Sequence, residues 1–201
     1  MKHKTLFVFV LALFYTSAEI NAATYNTRSY RNHGEWSSFE MYLGEERSFR
    51  AVNASDYSDL FLAVDHHPSD CSDPVISARI EMDEIFPATN DGNILSADMR
   101  VDRRDMQNGL VSFSTERGDS GAYLHFMIPD KAKLLQEMLN GSTLRFRLTG
   151  EDIDPWYMEF GLKGSMAAIT RAASMCNEVS EPPEEFFKEN SESSDSAKDY
   201  F

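Results

Sequence analysis

Apolar residues recur at every second position along most of this chain, and turn-forming residues interrupt them at short intervals. A period of two is the period of a β-strand, whose successive side chains point to opposite faces. Phe39, Met41 and Leu43 alternate and stop at Gly44; Phe49 and Ala51 form a second short run. Ile76, Ala78, Ile80 and Met82 alternate against Arg79 and Glu81. Leu95, Ala97, Met99 and Val101 follow the turn signal Asn90-Asp91-Gly92-Asn93. Asn108-Gly109 marks a second turn before Leu110–Phe113, and Arg117 to Gly121 a third before the Tyr123–Ile128 strand, which Pro129 ends. Leu144, Phe146 and Leu148 alternate with arginines, and Trp156, Met158, Phe160 and Leu162 with Tyr157, Glu159 and Lys163. Leu60–Val64 is continuously apolar, as in a strand buried on both faces. The pattern predicts a mainly β protein, an antiparallel β-sandwich.

Two segments change period. Ala132, Leu135, Met138 and Leu139 have helical spacing between Asp130 and Asn140, with Gly141 placed to stop the helix. Met166, Ile169, Ala173 and Cys176 do the same from Ser165 to Cys176, with Ser165 read as the N-cap after Gly164. Helices are expected over about 130–140 and 165–176.

The ends differ from the body. Lys2 and Lys4, the apolar run Leu6–Tyr15 and the small residue Ala22 give residues 1–22 the three-part layout of a secretory signal peptide. That run is too short to cross a bilayer. Residues 23–35 are polar and mixed and read as a flexible lead-in. Residues 36–176 are expected to form the sandwich domain. The chain is 42% hydrophobic, which supplies a sizeable core. Residues 177–201, with eight acids against two lysines and Pro182-Pro183, read as an acidic disordered tail. Its aromatic residues Phe186, Phe187, Tyr200 and Phe201 form a possible docking motif.

An exported chain folds where thiols oxidise, so Cys71 and Cys176, the only two cysteines, are expected to form one disulfide. The expected location is periplasmic or secreted. The net charge of −14 repels nucleic acid and anionic lipid surfaces; the expected partner is a protein, and a basic one would be attracted.

Chemistry-bearing motifs are sparse. Asp65-His66-His67-Pro68-Ser69-Asp70-Cys71 holds metal-ligand residue types, but adjacent histidines on extended backbone point to opposite faces. A polar loop beside the disulfide accounts for it, and no metal is expected. Gly118-Asp119-Ser120-Gly121 has the look of a protease nucleophile turn with His66 and His67 upstream; a hairpin turn explains it as well. Arg117, Gly118, Asp119 and Ser120 also spell an integrin-binding tetrapeptide, a possible binding turn. Asp98, Asp102, Asp105 and Glu116 contain no evident glycosidase pair. Asn53-Ala54-Ser55 and Asn140-Gly141-Ser142 match the glycosylation pattern only incidentally. No catalytic residue and no cofactor are expected.

The second half carries a recognisable layout. Met99-Arg100-Val101-Asp102 leads to Phe126-Met127-Ile128-Pro129, then to Leu134-Leu135 and Leu139-Asn140-Gly141, then to Leu144-Arg145-Phe146-Arg147. Phe160-Gly161-Leu162-Lys163-Gly164-Ser165-Met166-Ala167-Ala168-Ile169 follows, and Cys176 closes the helix. Over roughly residues 95–176 this resembles the exported bacterial proteins of the invasion-associated locus B family. It is also similar to the periplasmic accessory proteins of type VI secretion. The resemblance implies a β-sandwich carrying a packed helix, outside the cytoplasm and non-catalytic. Gly161 and Gly164 permit the sharp strand-to-helix turn, and the small face of Ala167, Ala168 and Ala172 lets the helix lie close to the sheet. The expected function is an exported accessory or host-interaction protein acting by protein contacts. The alternatives are a periplasmic inhibitor of a basic cell-wall-degrading enzyme and a hydrolase with an unrecognised site.

Overall fold

A computed structural model describes residues 25–54, 60–81, 89–115, 120–150 and 153–180. The 1–22 signal segment, Arg117, Gly118, Asp119 and the tail aromatics Phe186, Phe187, Tyr200 and Phe201 lie outside these residues. The described chain is mainly antiparallel β, with ten strands and two helices. The strands are β1 (Asn26–Asn32), β2 (Trp36–Leu43), β3 (Glu46–Ala54), β4 (Leu60–His67), β5 (Asp70–Glu81), β6 (Thr89–Val101), β7 (Gln107–Thr115), β8 (Gly121–Met127), β9 (Thr143–Gly150) and β10 (Ile153–Gly161). Helix α1 (Lys131–Asn140) joins β8 to β9, and α2 (Ser165–Asn177) follows β10.

All ten strands belong to one antiparallel ladder, ordered β1-β2-β3-β4-β5-β8-β7-β6-β9-β10. The ladder folds back so that its first strands meet its last. Trp36 Nε1–H donates to the carbonyl of Gly161 at 2.8 Å, and the Asn53 amide donates to the same oxygen at 3.1 Å. The Glu35 backbone N–H donates to Lys163 at 3.1 Å. Inside, Phe126 stacks on Phe146 with centroids 4.4 Å apart, and Phe146 meets Phe160 edge-on. The alternating positions of β5, β6, β9 and β10 supply this core as the sequence period requires: Ile76, Ala78, Ala97, Met99, Val101, Leu144, Phe146, Leu148, Met158 and Phe160 are buried. Leu62, Ala63 and Val64 of β4 are buried on both faces.

Helix α2 covers β2, β3 and β4 and touches α1. Asp130 caps α1 by accepting from the Lys133 N–H. The start of α2 differs from expectation. Gly164 occupies the cap at φ 100°. That left-handed conformation costs a side-chain-bearing residue about 1–2 kcal/mol. A Cβ there would also strike the His33 carbonyl. Ser165 is the first helical residue, and its hydroxyl donates to the Met138 carbonyl at 2.7 Å, tying α2 to α1. Ala168 and Ala172 face the sheet, whereas Ala167 is exposed.

Further expectations are corrected. Residues 26–32 of the supposed flexible lead-in form β1, paired along β2 with a bulge between Arg28 and Arg31. Asn90–Asn93 lies within β6 as a register shift against β7. Asn108-Gly109 opens β7; its glycine permits the close approach of β8, because a Cβ would meet the Met127 carbonyl. The chain reverses earlier, at Asp102, which takes φ 51° and accepts backbone bonds from Ser142 and Thr143. A positive φ of this kind is uncommon outside glycine, and aspartate is one of the residues that tolerates it. The buried face of β2 is Trp36, Ser38 and Glu40, opposite to the Phe39–Met41–Leu43 register. The fold also runs past position 176, since Val179 packs on the core.

Candidate functional site

The disulfide forms as expected, joining Cys71 at the start of β5 to Cys176 at the end of α2. Around it opens a groove of about 1050 Å³. One wall is the β2–β3 turn with Glu45 and Glu46, the other the β4–β5 turn with His67 to Ser72, and the end of α2 supplies Asn177, Val179 and Ser180. Its size matches the upper end of small-ligand pockets, but those are mostly apolar and enclosed. This one is open and lined mainly by polar residues. It suits a polypeptide segment.

Three carboxylates, Glu45, Glu46 and Asp70, accompany Arg47, the guanidinium of the lining. Arg47 is already engaged, donating to Glu40 at 2.6 Å. Glu40 is buried under α2 and also accepts both ends of the Arg28 fork, at 2.7 and 2.8 Å. Such bidentate, charge-assisted bonds are among the strongest a side chain makes. The Arg28 hydrogen bond, with that of Arg47, outweighs the upward push of burial and holds the Glu40 carboxyl down to about 2. The Asp70 carboxyl is also lowered, first by the Ser72 hydroxyl and then by the Ser72 N–H. Arg47 is the single arginine or lysine among the described lining residues, so the lining carries net negative charge.

The Asp65–Cys71 cluster diverges. Asp65 turns to the outer face and binds Arg50 through both guanidinium nitrogens, at 2.7 and 2.8 Å. His66 turns inward, only 4% exposed, and its Nδ1–H donates to the Cys71 carbonyl at 2.8 Å. A carbonyl can only accept, so this bond assigns the proton to Nδ1. His67 stands opposite Asp70 on the groove. Among the described residues no three His, Cys, Asp or Glu converge on a metal position.

The other motifs separate likewise. Ser120 donates its hydroxyl to Glu81 on the neighbouring strand. Asp98 binds Arg147 and Asn108, while Asp102 serves the β9 turn. Asn53 is buried and spent on backbone carbonyls, so it is closed to glycosylation in the folded chain. The sequence reading missed Glu45, Glu46 and Val179 as groove residues. The Glu45-Glu46 pair just after Gly44 was a visible hairpin-tip signal.

No protein-family model matches the chain, and no curated protein matches it. It is similar to a solved structure, that of invasion associated protein B from Bartonella henselae. The two are 14% identical, with a TM-score of 0.49 over 74% of this chain and 98% of that one. Within the chain, the disulfide fits an oxidising, extracytoplasmic compartment. No described helix is long and apolar enough to cross a membrane.

Acid should weaken the fold in two stages. Burial lowers the His66 pKa below its ordinary 6.5, and burial with the Arg171 charge lowers that of His33. The unfolded chain therefore takes up these protons first, and stability falls as pH drops below 6.5. Glu40 is also depressed in the folded state, so its contribution is present above 4.5 and disappears as pH falls toward about 2. Glu40→Gln should cost about 2 kcal/mol at pH 7, and the gap from wild type should narrow below 4.5 and close only as pH reaches about 2. Urea midpoints across pH measure it; parallel curves for the two proteins would refute the assignment.

Proposed function

We propose that the protein is an exported binding protein of the bacterial envelope, acting through protein contacts, and that the disulfide-side groove receives a cationic segment of its partner. One observation carries this reading: Glu45, Glu46 and Asp70 line an open, polypeptide-sized groove whose arginine is already paired inward. A basic segment entering it gains charge attraction and sheds little of its own hydration at so open a surface. The overall charge of −14 speeds the encounter. A secretion accessory and a neutralising inhibitor of a basic cell-wall-degrading enzyme both use such a surface, and the inhibitor role makes the sharper test.

The test titrates a lysine- and arginine-rich peptide and a basic muramidase against the full chain at 20 and 300 mM salt. Binding is expected at low salt and should weaken at least tenfold at high salt. The Glu45→Gln, Glu46→Gln, Asp70→Asn triple variant should bind at least tenfold less at 20 mM. Equal binding by this variant would remove the groove from the mechanism. Muramidase inhibition favours the inhibitor role; binding without inhibition favours the accessory role.

A further inference from the structure

The outer face of β6, β9 and β10 sets three arginines, Arg100, Arg145 and Arg147, against two carboxylates, Asp98 and Glu159, a positive balance on an acidic molecule. Arg100 stands directly across from Arg145, and Arg147 across from Tyr157. Arg145 pairs with Glu159, and Arg147 with Asp98. Among the described residues, Arg100 has no ion-pair or side-chain hydrogen-bond partner. Like charges directly opposite on neighbouring strands are destabilising; Glu159 offsets the charge of Arg145, and an anion beside Arg100 offsets the remaining one. The three guanidinium groups border a groove of about 300 Å³, flanked by Met106, 53% exposed, and Tyr157, 67% exposed. The carboxylate Asp98 also lines the groove but is taken up by Arg147, so a net positive rim around an apolar, aromatic floor of Met99 and Phe146 matches an acidic peptide that bears aromatic side chains.

The chain contains such a peptide. Residues 181–201 hold seven acids, two lysines, and Phe186, Phe187, Tyr200 and Phe201. Extended from Ser180, this segment reaches up to roughly 70 Å, beyond the width of a domain of this size. Reach therefore excludes no face, and between the two grooves charge decides: the disulfide-side groove repels this segment while the arginine face attracts it. Tethering supplies an effective concentration near millimolar, enough to populate a weak contact.

We propose that the acidic segment 181–201 docks within its own chain on the Arg100–Arg145–Arg147 face, its aromatic side chains on Tyr157 and Met106. This assignment is independent of the binding role given to the disulfide-side groove.

The chain has no free cysteine among its described residues, so Ser191→Cys gives a unique attachment point for a nitroxide on the full-length protein. Paramagnetic broadening of backbone amides is then read at 20 and 500 mM salt. The expected result is broadening centred on residues 98–100, 145–147 and 157–159 that falls at least threefold at high salt. Arg100→Gln with Arg145→Gln should reduce it at least threefold at low salt. Both side chains are exposed, and the amide spectrum itself reports whether the variant folds. Broadening centred on the disulfide-side groove, spread evenly, or indifferent to the arginine substitutions would overturn the proposal. So would broadening that arises only between a spin-labelled copy and a separate isotope-labelled copy, which would make the occupant a second molecule.

Discussion

Replacing both Cys71 and Cys176 with alanine will lower the unfolding free energy by about 4–5 kcal/mol, the loop-entropy value for closing a loop on the order of a hundred residues. The two positions are 105 apart in sequence, so without the bridge the unfolded chain regains the freedom of nearly every strand between them. The native state also loses a local tie. Cys176 is fully buried at the end of α2, and its partner anchors the β4–β5 turn that forms one wall of the groove. Urea unfolding of the oxidised wild type against the double variant measures the loss. The amides of residues 174–180 should lose hydrogen-exchange protection more than those of β6 or β9. A difference below about 1 kcal/mol, or uniform loss of protection, would show that the bridge neither limits the unfolded chain nor holds this corner.

Trp36→Ala should cost about 3–5 kcal/mol, the range for emptying a buried tryptophan site. Trp36 is fully buried where the first strands of the ladder meet the last. Its indole fills the core, and its N–H reaches the carbonyl of Gly161, the last residue of β10. Trp36→Phe separates the two roles, keeping most of the ring and removing the donor. Gly161 would still accept from Asn53. This second variant should therefore lose only about 1–2 kcal/mol. Denaturation midpoints of the two variants provide the comparison. Equal losses would place the whole effect in the hydrogen bond. A small loss for Trp36→Ala would mean that the ladder closes without this anchor.

Elements whose burial is set by their own alternation were legible in advance. β5, β6, β9 and β10 bury the residues that period two selects, because each presents one face to a common apolar core. The α1 and α2 segments form helices as their spacing predicts, but the buried positions differ from the expected stripes: Leu134, Glu137 and Met138 are buried in α1, and Ser165, Ala168, Ile169, Ala172 and Cys176 in α2, while Ala132 and Met166 are exposed. β2 was not legible. Its apolar side chains Phe39 and Met41 lie on the outer face, Phe39 against Tyr30, while Ser38 and Glu40 are buried. A buried serine and glutamate are tolerable only because other elements satisfy them. Arg171 of α2 donates to Ser38 at 2.9 Å, and Arg28 and Arg47 hold Glu40. No local pattern in β2 encodes a partner that arrives, as Arg171 does, from the far end of the chain.

The candidate sites divide along the same line. The cysteine pair and the polar run beside it could be read from residue types and export signals. The groove was hidden because Glu45, Asp70 and Val179 come from three separate parts of the chain. Asn108-Gly109 has turn chemistry, yet its glycine answers the approach of β8, a contact made by a strand that follows in sequence and inserts between β5 and β7. Period and cysteine count by themselves determined the β class, the two helices and the bridge, since each depends on interactions within a few residues or on a single pair. Strand order, the polar face of β2, the acidic groove and the arginine face were decided by tertiary structure, because each is a juxtaposition of distant segments with no counterpart in local spacing.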